Sequence, residues 1–309
     1  MYHGMINVYK EPGYTSHDVV ARLRGILKQK KIGHTGTLDP AAQGVLPVCL
    51  GIGTRLCDLL TDRDKTYCAV LLLGQETDTQ DITGKVLREE REKAMTLDEE
   101  NIRRTVGGFI GDYNQIPPMY SALKVQGKKL YELARQGKTV EREARPVKIY
   151  EIEIEEISLP RIRLTVSCSK GTYIRTLCHD IGEALGCAGC MEQLTRTRAA
   201  GFRIEDSLKL DEIEALAGEG RIAERIVPVE AALSDYPALA SRPEADGLVH
   251  NGNPCFARQL EGTDQQIKEP GDGQLFRMYD SQGLLMGLYE YEERRHFWKP
   301  KKMLRASAD

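Results

Sequence analysis

The segment Lys31-Ile32-Gly33-His34-Thr35-Gly36-Thr37-Leu38-Asp39-Pro40-Ala41-Ala42-Gln43-Gly44-Val45-Leu46-Pro47 does most to restrict what this chain can be. Its three glycines and two prolines break both helical periodicity and any long run of strand, so an irregular loop is expected there. Pro40 biases the preceding Asp39 toward extended backbone and removes the next backbone N–H. The carboxylate is therefore held in a narrow range of poses. An isolated Asp-Pro pair is usually a turn in which the carboxylate caps an amide. Here His34 shares the loop, and glycines at 33, 36 and 44 let another group approach the backbone closely, which is the composition of a site. The run lacks the Gly-Lys-Ser/Thr ending of a P-loop and the spacing of a dinucleotide fingerprint. No Gly-x-Ser-x-Gly elsewhere supports a serine hydrolase.

A chain of 309 residues can bury a large core and divide into a large domain and a smaller one. No apolar run reaches membrane-spanning length, and the start, MYHGMINVYKEPGY, has no basic stretch leading into an apolar one. No membrane association and a cytoplasmic location are expected. Cys49, Cys57, Cys68, Cys168 and Cys178 fall in apolar or strand-like stretches, as reduced core thiols do. Cys187-Ala-Gly-Cys190 has ligand-like spacing, but with no second pair or histidine couple it is half a zinc site, so no metal is expected.

The net charge of −3 conceals opposed segments. Residues 1–60, 115–150 and 161–203 carry +3, +5 and +4; residues 204–293 carry −12; residues 294–305 return to +6. The basic segments can be solvated faces or can line one face that contacts phosphates.

Residues 4–9 read as a strand, Thr15 or Ser16 as an N-cap, and Val19, Val20, Leu23, Ile26 and Leu27 as the apolar face of a helix that delivers the chain to the loop. Residues 66–73 read as a buried strand, and Thr96-Leu97-Asp98-Glu99 as a capping box opening a helix that ends near Gly107-Gly108. Residues 145–157 and 161–168 alternate as a strand pair joined through Ser-Leu-Pro. Ile174, Leu177, Ile181 and Leu185 follow helical spacing, which puts Arg175 at the start of a helix leaving a strand end. The stretch 205–225 is helical in composition, 234–247 is the expected linker, and 274–279 and 284–289 suggest a small β-rich domain.

These residues together resemble the TruB family of tRNA pseudouridine-55 synthases. GHTGTLDPAAQGVLPVCLG (33–51) is similar to the family's catalytic motif, Asp64-Lys65-Thr66-Tyr67 to its second and Ser169-Lys170-Gly171-Thr172-Tyr173-Ile174-Arg175-Thr176 to its third. Gln115 to Lys124, Arg142-x-x-Arg145-Pro146-Val147, and Lys10 followed by Pro12-Gly13 are also family-like, and the likeness runs in order from about residue 4 to 205.

The resemblance implies an α+β fold, a mixed and largely antiparallel sheet flanked by helices. It divides the chain into a catalytic domain, 1–235, with an RNA-gripping insertion at about 124–150 whose helix spans Lys128 to Gln136, and a PUA-like RNA-binding domain, 236–309. Arg294, Arg295, Lys299, Lys301 and Lys302 beside Phe297 and Trp298 give that last domain local support. Asp39 would be the essential carboxylate of uridine isomerisation, acting on a nucleotide flipped out of its RNA fold. It could add to the base, add to the sugar or remove a sugar proton. Arg175 would be its ion-pair partner, stabilising the ionised form. Tyr67 would stack on the uracil and could transfer a proton. His34 would occupy the space of the flipped nucleotide, with general-base action the alternative. Gly36, Thr37, Tyr120, Tyr173 and Leu194 would line the nucleotide site, and Lys10, Lys124, Lys128, Lys129, Arg142, Arg145 and Lys170 would contact RNA. The chemistry needs no cofactor. The partner implied is the T-arm of tRNA, met by a monomer without guide RNA or protein subunit. An RNA-guided synthase and a non-catalytic tRNA-binding protein are the rival readings; a pure binder has no chemical use for Asp39, Tyr67 and Arg175 together.

Overall fold

The computed structural model describes residues 1–125, 127–262 and 270–304. The strands of the larger part are β1 (Gly4–Lys10), β2 (Ile32–His34), β3 (Gln43–Leu50), β4 (Lys65–Leu73), β5 (Gln75–Thr77), β6 (Val86–Glu89), β7 (Gly111–Gln115), β8 (Lys124–Val125), β9 (Lys128–Lys129), β10 (Arg145–Ser158), β11 (Arg161–Cys168), β12 (Gly189–Ala199) and β13 (Phe202–Arg203). The helices are α1 (Ser16–Ile26), α2 (Cys57–Thr61), α3 (Arg91–Met95), α4 (Glu99–Gly107), α5 (Leu130–Arg135), α6 (Ile174–Ala184) and α7 (Leu210–Gly218).

A nine-stranded sheet runs in the order β1-β3-β12-β4-β11-β10-β7, with β2 on β3 and β13 on β12. Every pairing is antiparallel except β3 with β12, which touch in parallel only at Gln43↔Thr195 and Gly44↔Arg196. This is the expected mixed sheet. Helices α1 and α7 bury Val19, Leu23, Leu210 and Ile213 against Ile6, Val8, Leu46 and Val48. Helices α4 and α6 bury Ile102, Val106, Leu177 and Ile181 against Ala69, Leu71, Leu164 and Val166. The alternation in β11 is direct: Ile162, Leu164, Val166 and Cys168 are buried while Arg161 and Arg163 face water. Thr15 caps α1, its side chain accepting from the backbone N–H of Asp18 while Asp18 returns the bond.

Four expectations change. The second half of the opening loop is strand β3, Pro47 included; seven of its eight residues are buried, so no polar alternation marked it. The cap of α4 is Asp98, whose carboxylate accepts from Asn101 N at 3.0 Å, because Thr96 closes the preceding turn through Oγ1 to the Lys93 carbonyl. The insertion helix is shorter than Lys128 to Gln136, since Lys128 and Lys129 form a small β-pair with Lys124 and Val125 before α5 begins. The helical stretch 205–225 narrows to α7 with single turns at Ile204–Asp206 and Ile222–Arg225.

The smaller part is a barrel-like sheet of six strands, β14 (Ala238–Ser241), β15 (Cys255–Phe256), β16 (Leu260–Glu261), β17 (Leu275–Tyr279), β18 (Leu285–Glu292) and β19 (Phe297–Met303), in the order β15-β19-β18-β17-β14-β16. Strand β14 lies inside the expected linker. Phe276, Met278, Tyr289 and Trp298 form its core. The carboxy-terminal basic run is largely consumed internally: Lys299 and Arg295 pair with Glu292, Lys301 with Glu290 and Lys302 with Asp58. Phe297 and Trp298 are buried rather than free to stack on RNA. Arg305 lies outside the described residues.

Candidate active site

The loop carrying Asp39 joins β2 to β3 at the edge where β3 leaves β12. Buried donors fasten it on several sides. Ser16 Oγ, at the start of α1, accepts from Leu38 N at 2.9 Å. Lys10, fully buried at the end of β1, donates to the carbonyls of Ala42 at 2.5 Å, Pro40 at 3.2 Å and Glu11 at 3.2 Å. Gly13 N donates to the same Pro40 carbonyl at 2.9 Å. Lys10, expected among the RNA-contacting residues, is thus placed behind the loop with its ammonium on main-chain carbonyls. Burial pushes its ammonium down to about 8, partly offset by the negative charge of Asp39.

Asp39 and Arg175 meet across 136 residues of sequence: Nε to Oδ2 is 2.9 Å and Nη2 to Oδ1 is 3.3 Å, a two-pronged pair. Arg175 enters from the first turn of α6 with only 6% of its side chain exposed, and Asp39 keeps 37%. The guanidinium also donates to the carbonyls of Tyr120 at 2.9 Å and Thr79 at 3.1 Å. One side chain therefore fixes the carboxylate, the β5–β6 turn and the chain before the insertion. The start of α6 is itself held by Gln115, whose amide exchanges hydrogen bonds with Tyr173 N at 2.8 Å and Tyr173 O at 2.9 Å.

Tyr67 is buried on β4 beside this pair, and burial raises its hydroxyl above the usual range, leaving it protonated at neutral pH. His34 accepts from Gly36 N through Nδ1 at 3.3 Å, which places its proton on Nε2, and its ring meets His17 edge-on at 5.4 Å between centroids. Burial first, and His17 next, lower its pKa, so the imidazole is neutral at pH 7. A neutral half-buried ring with one nitrogen already engaged suits an aromatic contact better than proton abstraction.

The remaining expected residues divide. Gly36, Thr37, Tyr120 and Tyr173 surround the Asp39–Arg175 pair in the loop and at the segments Arg175 gathers. Leu194 is buried on β12, 9% exposed. Lys124 and Lys128 are exposed on the insertion, and Lys129 lies over the ring of Tyr131, 5.4 Å from its centroid. Arg145 is exposed at the start of β10. Arg142 is turned inward, donating to the Pro117 carbonyl at 3.1 Å, so it ties the insertion to the core. Lys170 is exposed and paired with Asp62 at 2.8 Å.

Three contributors were given no site role from the sequence: Ser16, read only as a possible helix cap, Gln115, read only as the start of a family-like stretch, and Arg196. Arg196 sits among polar alternating residues of β12 yet is 1% exposed.

Outside this centre, Glu76, His179 and Glu183 place ligand-type atoms within 4.8 Å of one another. Arg88 occupies that cluster, pairing with Glu76 at 3.1 Å and with Glu183, so its charge is already met by a cation. Cys187 and Cys190 are buried in the core as free thiols.

The sheet, in which β12 has one parallel and one antiparallel neighbour, carries an arginine-clamped aspartate with a tyrosine nearby, and the relatives of this chain place it among the pseudouridine synthases. The fold is shared with a chain of the "Cbf5-Nop10-Gar1 Complex", at a TM-score of 0.75 and 27% identity over 98% of this chain and 85% of that one. Residues 24–174 match the model of the TruB family pseudouridylate synthase N-terminal domain, and residues 175–234 that of the tRNA pseudouridylate synthase B C-terminal domain. The chain belongs to the TruB family. It is 48% identical to the tRNA pseudouridine synthase B of Lachnoclostridium phytofermentans over 97% of this chain and 99% of the relative, and 47% identical to that of Alkaliphilus oremlandii over 87% of each.

Proposed function

We propose that this chain converts uridine 55 in the TΨC loop of tRNA to pseudouridine, acting as a monomer without guide RNA, protein subunit or cofactor, in the cytoplasm where tRNA is found. The observation that carries this reading is the clamped Asp39–Arg175 pair beside Tyr67. A half-exposed carboxylate gripped on both oxygens by a buried guanidinium keeps its orientation while a nucleotide closes over it. In the reaction the electron pair of the N1–C1′ bond stays on the ring when that bond breaks; the ring then bonds C1′ through C5, loses the C5 proton and gains one at N1. Asp39 acts on the flipped nucleotide, Tyr67 stacks on the uracil, and His34 fills the place the nucleotide vacates. Residues 1–235 form the catalytic domain, and residues 236–309 a PUA-like accessory domain. The insertion at 124–150, with Lys124, Lys128 and Lys129 outward, grips the RNA backbone without reading its sequence. The relatives named tRNA pseudouridine synthase B, at 47–48% identity, favour tRNA over guided substrates.

The test is an unmodified tRNA transcript incubated with the purified chain alone, followed by mapping of pseudouridine. Product in the T-loop that vanishes with Asp39→Asn is expected. No product from the unaltered chain, or product only on adding a guide RNA, would overturn the proposal.

A further inference from the structure

Arg196 is an arginine buried to 1% exposure that has no carboxylate within ion-pair distance among the described residues. Burying an unpaired guanidinium is costly. Its guanidinium donates to three main-chain carbonyls: Nε to Val45 at 2.8 Å, Nη2 to Gly36 at 3.2 Å and Nη1 to Thr37 at 3.4 Å. Gly36 and Thr37 precede Asp39, and Val45 follows it. The three bonds therefore hold the loop on both sides of the carboxylate, diverging as only a planar fork of donors allows.

The backbone of Arg196 is held with equal closeness. On β12 it stands directly opposite Tyr67 of β4 and, on the other edge, beside Gly44 of β3. Gly44 has a φ of +104°, and a Cβ there would lie 2.3 Å from the Arg196 carbonyl oxygen, so only glycine permits this contact. Its guanidinium also faces the Tyr67 hydroxyl, where its charge opposes part of the effect of burial on that group. Lys65, buried near Gly36, is pushed down to about 8 by burial and then by the charge of Arg196.

Resting on the reaction proposed above, we propose that Arg196 is the positioning residue that sets Asp39 against Tyr67: a single side chain ties the carboxylate's loop to the strand bearing the ring. It acts through the loop carbonyls it holds and the Tyr67 hydroxyl it faces. Its loss would let the loop drift relative to Tyr67, and a misplacement on the order of 1 Å costs about 100-fold in rate.

The experiment measures single-turnover pseudouridine formation and tRNA affinity separately for the unaltered chain, Arg196→Met and Arg196→Lys, each checked for its folded fraction by circular dichroism. The expected result is a rate lowered about 100-fold in Arg196→Met, with tRNA Kd within about threefold, and partial recovery in Arg196→Lys, whose donors all sit on one nitrogen and cannot reproduce the spread of the three guanidinium bonds. A rate that falls only in proportion to the folded fraction, a Kd that weakens as much as the rate, or failure of both variants to fold would overturn the assignment by making Arg196 merely structural. An unchanged rate would overturn it outright. Failure of the unaltered chain to make pseudouridine would instead strike the proposed reaction.

Discussion

Replacing Arg175 by lysine separates the charge of this residue from its shape. The guanidinium serves four acceptors at once: both oxygens of Asp39 at 2.9 and 3.3 Å, the Tyr120 carbonyl at 2.9 Å and the Thr79 carbonyl at 3.1 Å. A lysine ammonium is a point donor on a flexible stem and cannot span carbonyls from two segments while holding a carboxylate side-on. Electrostatics draws it to Asp39, leaving the two carbonyls without their donor in a site where Arg175 is 6% exposed. Each orphaned buried acceptor costs about 1–3 kcal/mol, so Arg175→Lys should lose roughly 2–6 kcal/mol of stability. Because the positive charge remains, Asp39 keeps a counter-ion, and the defect in chemistry should come from misplacement, on the order of 100-fold. Stability is read from urea unfolding followed by far-ultraviolet circular dichroism, since the single tryptophan, Trp298, reports the smaller sheet. Chemistry is read from release of the uracil C5 hydrogen from labelled tRNA. An unfolding midpoint and rate both equal to those of the unaltered chain would refute the claim that the fork shape matters.

Reversing charge on the insertion, Lys128→Glu with Lys129→Glu, should weaken tRNA binding and flatten the dependence of log Kd on log salt by roughly 1–2, as loss of up to two phosphate contacts requires; superimposable binding curves across a salt series would remove this segment from the RNA face. Lys10 and Lys65 each fall from an ordinary 10.5 to about 8 in the folded chain. Between about pH 8 and 10.5 the unfolded chain therefore holds more protons, and the stability these groups contribute rises with pH over that window and is least below it. The stability of the unaltered chain relative to Lys65→Met should accordingly grow from pH 8 to 10, measured by urea unfolding; a constant difference would contradict it.

The architecture was readable where one face of an element is wet. Strand β11 alternates, α1 and α6 keep helical spacing, and all three fall where periodicity places them. Strand β3 was hidden because burial on nearly all its length erases the pattern that marks a strand. Asp39, Tyr67 and Arg175 stood out through motif likeness, but their meeting is a property of the sheet order and not of any spacing along the chain. The partners of the cations were not legible in the sequence. Lys10 and Arg142 look from sequence like RNA contacts, yet both turn inward to backbone carbonyls. The carboxy-terminal lysines look free, yet Glu290, Glu292 and the distant Asp58 neutralise them. A basic residue in a sequence carries no mark of whether its partner is a phosphate, a carboxylate or a main-chain oxygen.

Strands β3 and β12 share only two residue pairs, and the Asp39 loop leads into β3 where they meet. Both strands belong to one continuous hydrogen-bonded sheet, so they cannot swing together around a substrate without tearing the ladder between β12 and β4. Such a receptacle works as an anvil does: it stays still, and whatever is shaped upon it must do the deforming. The work of exposing the nucleotide then falls on the RNA, and an enzyme so built would select substrates by how readily their loop yields.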